Sequence, residues 1–168
     1  LNPEHPPLIK AISGLFARIF ENPRFPTDTK DWREDINGQW GQGNAFLYTS
    51  GNNADAILFW SCMPIIILTL LFGWMFFCWT VRRFGPKTAL LSLLFFIFSP
   101  TILAHSRYVT TDVGAAFGFF IGIASFINFL EKPSWRNIVI AGFAFGAAML
   151  LKFSLILLLP MFFLMLTL

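Results

Sequence analysis

The stretch His105-Ser106-Arg107-Tyr108-Val109-Thr110-Thr111-Asp112 gathers an imidazole, a guanidinium and a carboxylate between two apolar runs, residues 88–104 and 113–130. Ionisable groups at the mouth of membrane helices are costly unless they face water, a partner or a substrate. Asp112 could take a proton from an attacking hydroxyl, orient an acceptor or ligate a metal. As the opening residue of a helix it could also be a plain cap, a role open to Thr110 and Thr111 as well. Arg107 could hold a phosphate with its planar donor fork, or simply snorkel to the interface. His105 could donate to a phosphate or ligate a metal. Lys152 is a further phosphate candidate, because apolar residues flank it on both sides. A second polar cluster, Glu4-His5-Pro6-Pro7-Leu8-Ile9-Lys10, opens the chain, and its rigid Pro pair presents the neighbouring groups in a fixed direction. The plain alternative is a loop leading into a helix.

The elements that must position these groups are membrane helices. Of the 168 residues, 56% are hydrophobic and only 12% charged, against roughly 25% charged in soluble domains. Mean hydropathy is +0.66. Residues 56–81 form an uncharged run long enough to cross a bilayer, which takes about 20 apolar residues. Further spans are expected at 88–104, 113–130, 137–151 and 153–168. The last two are separated at Lys152, since a lysine at mid-span would cost about 2.5–3.5 kcal/mol.

Two short basic loops, Arg82-Arg83-Phe84-Gly85-Pro86-Lys87 and Glu131-Lys132-Pro133-Ser134-Trp135-Arg136, mark the cytoplasmic side. Residues 1–55 and the 105–112 loop are then extracytoplasmic, and Lys152 joins them. Within residues 1–55, Leu8–Phe20 reads as an amphipathic helix with Leu8, Ile12, Leu15, Phe16 and Ile19 on one stripe. It is too short and mixed to span and is expected along the interface. Residues 27–55 read as a polar loop, with Trp32, Trp40, Phe46 and Tyr48 as headgroup anchors. The fold class expected is all-α: a polytopic transmembrane bundle with an extracytoplasmic loop that carries an interfacial helix.

Other classes recede. No basic run with interleaved aromatics suggests nucleic acid. Cys62 and Cys78 lie 16 residues apart in one span, about 24 Å of helical rise, too far to pair. The chain starts without Met and ends inside an apolar run, as expected for a piece of a longer protein.

The polar clusters resemble a family. Glu4-His5-Pro6-Pro7-Leu8-Ile9-Lys10 resembles the His-Pro-Pro-Leu motif of protein O-mannosyltransferases and the Glu-Lys-Pro-Pro element of aminoarabinose transferases. Ser99-Pro100, His105-Ser106-Arg107 and Thr111-Asp112 resemble the second outer loop of the same superfamily. Gly146 through Ser154 resembles its Leu-x-Lys-Tyr/Phe segment. The superfamily is that of the GT-C membrane glycosyltransferases. The resemblance implies transfer of a sugar from a polyprenyl-phosphate carrier to a protein, lipid or glycan acceptor outside the cytoplasm, with a bacterial plasma membrane as the expected location. It makes Asp112 an acid lining the site, with Glu4 and His5 beside it. Lys152, Arg107, His105 and Lys10 would hold the donor phosphate. The family's principal carboxylate is expected upstream of Glu4, so residues 1–168 alone are expected to be inactive. No cofactor is assigned; Glu4, His5, His105 and Asp112 are ligand types for a divalent cation without diagnostic spacing. A transporter or flippase for a lipid-linked anion is the alternative, but such proteins carry polar groups near mid-bilayer and often repeated halves. Here the charges cluster at one face. A structural membrane subunit would leave that cluster unexplained.

Overall fold

The computed structural model describes residues 6–167, so Glu4 and His5 lie outside the described residues. The chain is 80% helix, and no strand occurs among the described residues. The first helix, α1 (Leu8–Phe20), begins at Pro7, where a missing N–H and a fixed φ cost a helix start nothing. Asn22, with φ 41°, turns the chain out of it.

The segment that follows is ordered into short pieces, in place of the plain loop read from composition: α2 (Lys30–Arg33), α3 (Gln39–Asn44) and a π-helical turn, Ala45–Thr49. Thr29 caps α2 by accepting from the Trp32 N–H. Buried Gln42 donates to the Pro26 carbonyl at 2.6 Å and pairs with the Thr29 hydroxyl. The Asn52 amide donates to the Arg24 and Phe46 carbonyls and accepts from the Arg24 N–H. A Cβ at Gly38 would stand 2.3 Å from the Asp31 carbonyl oxygen, so only glycine fits. Phe25 packs between Trp32 and Phe46, at 5.0 and 5.5 Å between ring centroids. Those two rings thus share in the segment's own packing, and Trp32, Trp40 and Tyr48 stand exposed.

Helix α4 (Ala54–Phe84) starts at the Asn53 cap and runs 31 residues. Gly85, with φ 83°, makes the turn into α5 (Pro86–Ile97); a side chain there would be strained. The run expected as one span, 88–104, is two helices. Ser99 is extended and caps α6 (Pro100–His105) by accepting from the Ile102 N–H. The reason is local: Pro100 has no N–H to continue α5 and pushes Ser99 out of the helical region. Helix α7 (Asp112–Glu131) and α8 (Trp135–Leu151) form an antiparallel pair joined by a short loop, with Ser134 capping α8. At Lys152 the backbone is extended (φ −158°, ψ 131°), a 3₁₀ turn follows over Phe153–Leu157, and α9 (Leu158–Thr167) ends the described chain.

Two helices, α4 and α7, are long and apolar enough to cross a membrane; α5, α8 and Phe153–Thr167 are apolar but shorter. Phenylalanines bind the first three long elements together. Phe72 of α4 meets Phe96 of α5 at 4.9 Å and both Phe117 and Phe120 of α7 at 5.6 Å. The hydroxyls of Thr69, Thr80 and Ser125 donate to backbone carbonyls of their own helices, so no lone O–H of these three is left in the apolar layer. Helix α7 meets α8 and α9 over glycines: a Cβ at Gly118 would lie 3.2 Å from the Ala148 Cα, and one at Gly122 would lie 2.8 Å from a Leu158 methyl.

Helix α1 docks on α4 and α8, but not through its most apolar stripe. Ile9, Ser13 and Ala17 are the buried positions, whereas Ile12, Leu15 and Ile19 stay exposed. Small residues let the helix backbone approach closely; Leu8 and Phe16 are half-buried, Phe20 stacks on Trp60 of α4 at 3.8 Å, and Leu15 and Ile19 are left exposed.

Candidate functional site

Polarity of the bundle follows from one ion pair that the sequence reading passed over. Arg83, near the end of α4, makes two bonds to the Glu131 carboxylate, at 2.5 and 2.9 Å, and one to Asn128 at 2.9 Å. The C-terminal ends of α4 and α7 are therefore together. Asp112, at the start of α7, must lie at the other end, with Asn53 and the folded segment before it.

At that other end the structure brings three of the candidate residues together. Lys152 Nζ donates to Asp112 Oδ1 at 2.9 Å. His105 Nδ1 stands 3.4 Å from Asp112 Oδ2 and 3.3 Å from the Thr110 hydroxyl. Each has a local cause. Asp112 is the first residue of α7, where the helix dipole favours an anion. Lys152 occupies the extended break after α8, so its side chain leaves the helix axis at the bundle end. His105 ends α6, a helix that exists because Pro100 restarts the chain. Thr111 stands at the N-cap of α7 but makes no capping bond, and the Thr110 hydroxyl goes to the imidazole.

These side chains are neither sealed nor fully solvated: 29% of Lys152, 38% of His105 and 44% of Asp112 is exposed. An ammonium carries three donors, and the bond to Asp112 uses one. The Nδ1 atom can donate to the carboxylate or share a proton with Thr110, according to the imidazole tautomer. An anion approaching this end would meet a lysine held by a carboxylate and a histidine within reach.

The remaining candidates divide. Arg107 is exposed and its guanidinium lies over the Tyr108 ring, 5.1 Å from the centroid. It thus flanks the Asp112 cluster from the neighbouring loop. Lys10 sits exposed in the first turn of α1. Its neighbour Ile9 is buried against Leu151, and Gly114 faces Ile9 so closely that a Cβ there would come within 3.1 Å. The start of α1 is thereby pinned beside the two elements that carry Asp112 and Lys152. Among the described residues, no group of three or more His, Cys, Asp or Glu side chains gathers as a metal site.

An apolar groove of about 280 Å³ adjoins this end, walled by α1, α4, α7 and α8. Its lining runs from Leu8 and Ile12 across Ile65 and Leu68 to Phe117 and Leu151. Sequence reasoning missed the groove, Thr110 as a partner of His105, and Tyr108 as the rest for Arg107. The last two lie within the same short loop and could have been read from it.

No curated protein and no solved structure matches the chain. Residues 44–168, which include Asp112 and Lys152, match the dolichyl-phosphate-mannose-protein mannosyltransferase family. The match covers most of the sequence, from the folded segment before α4 through α9. With its apolar helices and this match, the chain belongs to the dolichyl-phosphate-mannose-protein mannosyltransferase family of integral membrane glycosyltransferases.

Proposed function

We propose that the Asp112–Lys152–His105 end of the bundle faces outward and serves transfer of a sugar from a polyprenyl-phosphate carrier to an acceptor. The observation that carries this is the 2.9 Å bond between Lys152 and Asp112, with His105 beside it, at the end opposite Arg83 and Glu131. In the reaction an acceptor oxygen bonds to the anomeric carbon as the bond from that carbon to the phosphate oxygen breaks. The polyprenyl phosphate leaves with the electron pair, and the acceptor proton passes to a carboxylate. Lys152 stabilises the charge that grows on the leaving phosphate, with Arg107, His105 and Lys10 as further donors. Asp112 holds Lys152 in place and lines the acceptor side with Glu4 and His5. The principal base is the carboxylate that the family resemblance puts upstream of Glu4.

The family description names a mannose donor on dolichyl phosphate and a protein acceptor, so these are the first substrates to supply. A multi-pass arrangement in a bacterial plasma membrane, with α1 along the outer interface, is part of the same proposal. The exposed Leu15 and Ile19 of α1 support its placement along the interface.

The test is reconstitution of the full-length protein in liposomes with labelled polyprenyl-phosphate sugars and a peptide, lipid or glycan acceptor. Label on the acceptor supports the transferase. Label that crosses the bilayer while still on its carrier would replace it with a flippase.

A further inference from the structure

We propose that the basic cavity between the C-terminal ends of α4 and α7 binds the phosphate of an anionic membrane phospholipid. The cavity, about 480 Å³, is walled by Trp79, Arg82, Arg83, Asn128, Glu131 and Lys132. Its charges are not equivalent. Arg83 is committed to its neighbours, bonded to both Glu131 oxygens and Asn128 and stacked over the Trp79 ring at 4.9 Å. That pair is close to neutral and fixes the cavity wall. Arg82 and Lys132 are exposed, and neither side chain makes a hydrogen bond or salt bridge among the described residues, although Lys132 lies near enough to Glu131 to favour its charged form. Beyond the Arg83–Glu131 pair, the cavity therefore presents two exposed cations whose side-chain donors make no hydrogen bond among the described residues.

Its position says which anion would come. It lies at the ends of the two helices long enough to cross a membrane, which places it at the membrane boundary. Lys87 and Arg136 add positive charge from the adjoining α4–α5 and α7–α8 turns. Phe84 and Trp135, both largely exposed, stand at the same end, as aromatic residues do at the headgroup level. Basic pockets between helices at such a boundary suit lipid phosphates, whose acyl chains remain in the bilayer beside them. This site is at the opposite end of the bundle from Asp112 and Lys152, so it is not the donor site. It would hold the α4 and α7 ends at a fixed depth.

Native mass spectrometry of the full-length, detergent-solubilised protein tests this. It is titrated with phosphatidylglycerol, with phosphatidylcholine, and with phosphatidylglycerol plus inorganic phosphate. The expected result is a preference of about tenfold or more for phosphatidylglycerol. The preference should fall in Arg82→Ala and in Lys132→Ala, and disappear in the double variant, with elution volume unchanged. Equal retention of the two lipids, or a double variant that behaves as wild type, would overturn the proposal. Displacement of phosphatidylglycerol by an equal concentration of inorganic phosphate would also overturn it, by showing a free-anion site.

Discussion

Lys152 is a charge inside an apolar stretch, and its place is explained by a single bond. Its ammonium reaches Asp112, which lies forty residues away in sequence; Lys152 stands at the break after α8 and Asp112 at the first residue of α7. That the lysine interrupts a hydrophobic run could be read directly from the sequence, as could the clustering of His105, Arg107 and Asp112. The pairing could not, because nothing in the local pattern says which acid meets which base. Different distances imply different dependence. His105 is 3.4 Å from Asp112 and partly exposed, and an open ion pair contributes up to about 1 kcal/mol. His105→Ala should therefore cost sugar transfer less than about tenfold, and less than Asp112→Asn, in parallel assays of the full-length protein. An equal loss would make the imidazole as important to the reaction as the carboxylate, and more than one of several donors to the phosphate.

Among elements, the α7–α8 contact is the tightest test of packing. Gly118 faces the Ala148 backbone and the Leu151 and Leu155 side chains, whereas a Cβ at Gly142 meets nothing within 4 Å. Gly118→Val should destabilise the protein by about 1–3 kcal/mol, as overpacking does. Gly142→Ala should be neutral or stabilise by up to about 1 kcal/mol, since alanine favours a helix. Melting of the solubilised protein followed by circular dichroism distinguishes them. The two glycines look alike in sequence, because both sit in apolar helical runs and only the neighbour's position separates them. The same holds for α1. Its extent could be read from periodicity and Pro7, but its docking face could not, since Ile9, Ser13 and Ala17 are not its most hydrophobic positions. Ser99-Pro100 is the opposite case: the breaker stands in plain view, and its effect was masked by the apolar residues on both sides.

At the scale of the whole molecule, the question is which end faces which side. Composition alone makes this a membrane protein, and the Arg83–Glu131 bond fixes which helix ends lie together. Whether residues 86–105 cross rests on α5 and α6, which are individually short. Cysteine labelling settles it in a protein whose Cys62 and Cys78 have been replaced by Ala. Val109→Cys should react with an impermeant maleimide applied outside intact cells, and Lys87→Cys should react only after permeabilisation. Labelling of both from one side would mean that residues 86–105 do not cross.

The central claim is that Asp112 and Lys152 are the charged heart of a sugar-transfer site, and it is tested most directly by donor-dependent transfer in the reconstituted full-length protein. Wild type is compared with Asp112→Asn and Lys152→Ala, each checked for unchanged elution and melting. We predict that each substitution lowers transfer by about a hundredfold or more, the scale of losing a positioned proton-transfer or charge-stabilising group. Transfer that proceeds at the wild-type rate in both variants would contradict the account and reduce the pair to a structural clasp between α7 and the break after α8.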